Sequence, residues 1–141
     1  MADFKRRLRR LQILRLRYLD RQRRQTQALA GINTALADAQ RLLDELQKLR
    51  AHYVELEEAR GMPAMTLSGI RRKLGELAEA HREQQGQVEW LQAERTRGMA
   101  AVTTLRLRVE HIERLVLETR TEHRTAAERA EALALAPRAR V

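Results

Sequence analysis

MTLSGIRRKLGEL, residues 65–77, decides the fold. Leu67, Ile70, Leu74 and Leu77 are separated by three, four and three residues. That alternation, about 3.5 residues per apolar position, is the repeat of a left-handed coiled-coil seam. Continued at the same count, the seam runs through Val88, Leu91, Val102, Leu105, Val109, Ile112 and Val116 to Leu133. His81, Gln84, Arg95, Gly98, Thr119 and His123 interrupt it. The first half of the chain carries a matching signal. Leu11, Leu14, Tyr18, Ile32, Ala35, Ala39, Leu42, Leu46, Leu49, Tyr53 and Leu56 keep one frame, broken by Arg21 and Gln25. Leu8, Leu29, Leu36 and Leu43 lie beside that frame and widen the stripe. The spacing predicts two long helices, over 4–59 and 67–134.

Between them stands EARGMPAMTLSG, residues 58–69. Gly61 can take the left-handed conformation that closes a helix. Pro63 cannot continue that helix, and Thr66 or Ser68 offers an N-cap for the next. So short a connection makes the two helices antiparallel neighbours. The fold class is therefore all-α, a long antiparallel two-helix coiled-coil hairpin. A single domain is expected over residues 1–136, with a loop at 60–66 and a frayed tail at 137–141. A helix of this length spans about 80 Å. Folding back at the loop pairs positions whose numbers sum to roughly 127. Val102 then faces Gln25, Leu105 faces Arg21, Arg95 faces Ile32 and Gly98 faces Ala28. The polar seam positions gather in the middle, where they fix the register or leave a bendable segment. Small residues there (Ala28, Ala35, Ala39, Gly98) permit close helix approach.

Composition agrees. The chain has 141 residues, no cysteine, two prolines, one Phe, two Tyr and one Trp. Abundant Ala, Leu, Arg, Glu and Gln is the composition of long helices. No apolar run is long enough to span a membrane, and no apolar stretch follows the basic start as in a secretory signal. Asp3, Asp20 and the scarcity of serine argue against an organelle transit peptide. A soluble, reducing, cytosolic setting is expected.

Charge is polarised. Lys5, Arg6, Arg7, Arg9, Arg10, Arg15, Arg17, Arg21, Arg23 and Arg24 stand against Asp3 and Asp20, which places +8 of the chain's +9 within residues 1–24. Arginine grips carboxylates and phosphates bidentately. A run this one-sided repels itself and calls for an anionic partner: nucleic acid, an acidic protein surface or anionic lipid.

Chemistry finds no support. His81 and His123 sit on the seam, His111 beside Ile112, and none pairs with His52 or another ligand at metal-binding spacing. No glycine-rich phosphate loop is present. A two-helix hairpin offers no pocket that could exclude water. No enzyme activity, metal or cofactor is expected. Trp90 lies off the seam, either an exposed interface anchor or a ring covering neighbouring arginine stems.

The basic N-terminus, two antiparallel helices and a second helix ending in VEHIERLVLETRTEHRTAAERAEA (residues 109–132) resemble the FliJ/YscO family. These are the central-stalk proteins of flagellar and type III secretion export machines. The resemblance implies a cytoplasmic protein, peripheral at the base of a secretion apparatus. It implies binding to a hexameric export ATPase through the basic termini end, with Arg6, Arg7, Arg9, Arg10, Arg15 and Arg17 as candidates. It implies that the loop end reaches the cytoplasmic ring of the export gate, with Tyr53, Leu56, Met62, Met65, Leu67 and Ile70 as candidates. Some members also hold free export chaperones. Two alternatives stay open on the residues alone. One is a basic coiled-coil nucleic-acid-binding module, whose aromatics would be interleaved with the basic run; here only Tyr18 is. The other is a structural coiled-coil scaffold, dimerising through the extra apolar positions Leu29, Leu36 and Leu43.

Overall fold

The computed structural model describes residues 2–139, with side chains through 136. Two helices account for nearly all of it: α1, Ala2–Glu58, and α2, Ala64–Ala139. They form an antiparallel hairpin. Strong helix formers dominate both. Threonines that would otherwise compete with the helix donate their hydroxyls to the carbonyl four residues back, among them Thr26, Thr104 and Thr119. Ion pairs at helical spacing, Asp20–Arg24 and Glu94–Arg97 among them, add small increments.

The turn follows from three residues. Ala59 N–H donates back to Leu56 O at 3.3 Å, tightening the end of α1. Gly61 takes φ 84°, a conformation that costs it nothing. Pro63 O accepts from Leu67 N–H at 3.0 Å and so opens α2. The second helix therefore starts at Ala64, ahead of the expected residue 67. Thr66 and Ser68 lie inside its first turns, and the expected side-chain cap is replaced by a proline that needs no N–H there. At the far end α2 continues through Pro137 to Ala139. Of the expected frayed tail, residues 140 and 141 lie outside the described residues.

The chain divides into two compact units, Gln27–Met99 around the loop, and Met1–Thr26 with Ala100–Val141 around the termini. The division falls beside Gln25, Arg95 and Gly98, the residues that periodicity placed on the seam. In the loop-end unit Leu36, Ala39, Val88 and Leu91 form the core, with Leu43 packed against it. Ile70 and Leu77 are buried nearer the turn. In the termini-end unit Val109, Ile112 and Thr119 are buried. Thr119 satisfies its hydroxyl on Leu115 O at 2.7 Å.

The register holds in each unit. Phe4 stacks on His123 with centroids 3.8 Å apart, and Arg15 Nε donates to Glu113 at 3.1 Å. Nearer the loop, Gln47 meets His81 at 3.3 Å and Arg71 approaches Glu57 at 3.9 Å. A Cβ added to Gly98 would lie 3.1 Å from Leu29 Cδ1. The close approach expected at Gly98 is real, but the residue that meets it is Leu29, not Ala28.

The α1 seam differs from the expected frame in half its positions. Leu11, Tyr18, Ile32, Ala39, Leu46 and Tyr53 face inward as expected. Their partners are Leu8, Arg15, Leu29, Leu36 and Leu43, on the flank expected only to widen the stripe. Leu14, Ala35, Leu42 and Leu49 are exposed. Helix α1 carries two apolar lines, and pairing with α2 selects between them. Leu29 fills the space over Gly98, Leu36 packs with Val88 and Leu91, and the charged members Arg15 and Glu57 find Glu113 and Arg71. Arg21, Gln25, Ala28 and Arg95, expected at seam positions, are exposed.

On α2 the expected seam is half-buried or buried from Leu67 to His123, Arg95 excepted. It ends there. Ala126, Ala130 and Leu133 are exposed, past Thr125, which the register sets opposite Ala2, the first described residue of α1.

Candidate functional site

Helix α1 places its arginines on several faces, and the hairpin sorts them. Arg15 is half-buried and bonded to Glu113. Arg7 lies 3.7 Å from Glu122. Both are partly neutralised within the molecule, though exposed pairs of this kind hold only weakly. Arg6, Arg9, Arg10 and Arg17 are exposed and, among the described residues, pair with no carboxylate. Of the six candidate arginines, four therefore remain available to a partner. The termini-end unit holds 18 of the 28 basic and 8 of the 19 acidic residues, a balance of +10. The loop-end unit holds 10 basic and 11 acidic residues, a balance of −1.

Arg10, Arg17 and Arg24 recur at seven-residue spacing along one line of α1. Next to that line runs an open groove. Leu14, Tyr18, Leu107, Ile112 and Leu115 line it, with Arg108 and His111. It continues at one end past Arg10, Ile13 and Arg17, and at the other past Arg21, Arg24 and Gln25. Two guanidinium groups lie over the Tyr18 ring, Arg21 at 5.4 Å and Arg108 at 5.6 Å from its centroid, an arrangement favourable to both cations. Heptad counting along α1 does not reveal this groove, since it puts Leu14 inside. The signal available in the sequence is the coincidence of a second leucine line with heptad-spaced arginines.

The loop-end candidates separate by burial. Met65 is 89% exposed, while Tyr53, Leu56, Met62 and Leu67 are half-buried. Ile70 is buried in the hairpin interior. Trp90 is exposed. Among the described residues no group of three or more His, Asp or Glu side chains could hold a metal ion. No described helix is long and apolar enough to cross a membrane.

The fold is an all-α helical hairpin with its positive charge concentrated in the termini-end unit. The family model described as Flagellar FliJ protein matches residues 4–135, nearly the whole chain, and the chain belongs to that family. Membership implies a structural stalk protein of a flagellar or type III export apparatus. No curated protein and no solved structure matches the chain.

Proposed function

We propose that this protein is the central stalk of a flagellar or type III export apparatus, binding a hexameric export ATPase through its termini-end unit and the export-gate ring through its loop end. The observation that carries this reading is the contrast in charge, +10 in one unit against −1 in the other. Exposed, unpaired arginines favour rapid and adjustable association with an acidic surface over a fixed dry interface. Arg6, Arg9, Arg10 and Arg17 are the contacts, and Arg7 and Arg15 join them only by releasing Glu122 and Glu113. At the other end Met65 is the most accessible apolar contact, and Met adapts to irregular partner surfaces. Tyr53, Leu56, Met62 and Leu67 support it, and Ile70 shapes the end from within. The protein works in the cytoplasm, peripheral at the base of the apparatus.

The test is charge reversal. Arg6→Glu, Arg10→Glu and Arg17→Glu together replace attraction by repulsion without loss of helix content, since Glu is also a good helix former. Stimulation of the export ATPase and its capture by the protein are lost in the triple variant if the reading is right. Unchanged stimulation contradicts it.

A further inference from the structure

We infer that the groove of the termini-end unit, floored by Leu14, Tyr18, Leu107 and Leu115, is a docking site for an amphipathic helix whose apolar stripe is flanked by carboxylates. The inference rests on the reading that this unit faces an acidic protein partner, and it adds which element of that partner is gripped, and how.

Three observations carry it. The floor is apolar and accessible: Leu14 is 40% exposed and Leu107 55%. Leucines left out of a two-helix seam, side by side on neighbouring helices, are what a third helix buries. The walls are cationic and uncompensated. Among the described residues Arg10, Arg17, Arg21 and Arg108 pair with no carboxylate, and only Arg24 has one, in Asp20 at 3.0 Å. A cationic rim around an apolar floor complements an acidic rim around an apolar stripe. The length also fits. From Arg10 to Gln25 the groove follows about four helical turns, roughly 22 Å of α1.

The same features disfavour nucleic acid and a second copy. Tyr18 and the His111 imidazole are the aromatic rings among the described residues of the groove lining, and two guanidinium groups already lie by Tyr18. Bases would find little to stack on, and leucines give phosphates nothing. A second copy would set a +10 surface against its like.

A labelled 16-residue peptide serves as probe, with leucines at helical i, i+3, i+4, i+7 spacing and glutamates on both flanks. Its controls are a scrambled peptide of the same composition and a uridine oligomer. The amphipathic peptide is expected to bind the full chain about tenfold or more tighter than the scrambled one, the scale of burying a leucine or two. Leu107→Glu is expected to remove most of that difference, and Leu14→Asn part of it. Both sites are exposed, so helix content by circular dichroism stays unchanged. Lys48→Ala and Arg50→Ala, exposed in the loop-end unit, leave the discrimination intact. Equal binding of both peptides, or indifference to Leu107→Glu, overturns the groove and leaves pure charge attraction. Tighter binding of the uridine oligomer, insensitive to Leu107→Glu, also overturns it. Failure of the wild-type chain to capture the ATPase, with peptide discrimination intact, would instead overturn the stalk reading and leave the groove standing.

Discussion

Gly61 and Gly86 show how differently one residue type can matter. Gly61 holds φ 84° in the turn, where a Cβ costs about 1 kcal/mol. Gly86 sits in mid-helix on α2 with nothing within 4 Å of an added Cβ. Gly86→Ala should therefore raise unfolding stability by about 0.5–1 kcal/mol, while Gly61→Ala lowers it by about 1 kcal/mol. Urea unfolding followed by circular dichroism checks both. Gln84 is a second instructive residue. Its amide donates to Ala39 O at 3.0 Å across the hairpin, so a polar seam position is satisfied by the partner's backbone. Gln25 and Arg95, read from periodicity as companion seam residues, are exposed. Leucine at 25 or 95 should gain almost nothing, whereas Gln84→Leu should stabilise the hairpin at the cost of a register-specific bond. Thermal unfolding that rises with the Gln25 and Arg95 substitutions and not with Gln84→Leu would contradict this assignment.

Among the elements, α2 was readable from its sequence almost throughout. One apolar line with few rivals leaves one way to face a partner, and the burial of Ile70, Leu77, Val88, Leu91, Val109 and Ile112 follows it. Helix α1 was readable only in part. Its two leucine lines are equivalent to any count made on α1 alone, and the choice between them is made by Gly98, Val88, Leu91, Glu113 and Arg71 on the other helix. These assignments separate two substitutions of similar chemistry. Ile112, 4% exposed, should cost about 2–3 kcal/mol as Ile112→Ala. Leu133→Ala, beyond the paired region, should cost under about 0.5 kcal/mol. Within the loop-end unit, Leu29→Cys with Gly98→Cys should close a disulfide under mild oxidation, because a Cβ added at Gly98 lies 3.9 Å from Leu29 Cβ. Leu46→Cys with Arg95→Cys should stay reduced. Mass spectrometry of the oxidised monomers distinguishes the two pairs, and a disulfide only in the second removes the register.

On the scale of the whole molecule, the distribution of charge carries the functional reading. The basic run was plain in residues 1–24, but its division into paired and free arginines required Glu113 and Glu122 to be brought across from α2. The groove beside Arg10, Arg17 and Arg24 was not readable at all from an apolar count that placed Leu14 in the seam. Family membership turns a basic hairpin into a stalk protein of an export apparatus, and the proposed function assigns the free arginines to an acidic partner. The most direct test is paired binding at about 150 mM salt, where attraction between exposed charges is already screened beyond roughly 8 Å. The wild-type chain is presented with a rotary-type export ATPase and, separately, with tRNA or ribosomal RNA fragments. Association with the ATPase that Arg6→Glu, Arg10→Glu and Arg17→Glu abolish is the predicted result. Nanomolar RNA binding with no ATPase association would contradict the stalk reading and put a nucleic-acid-binding coiled coil in its place.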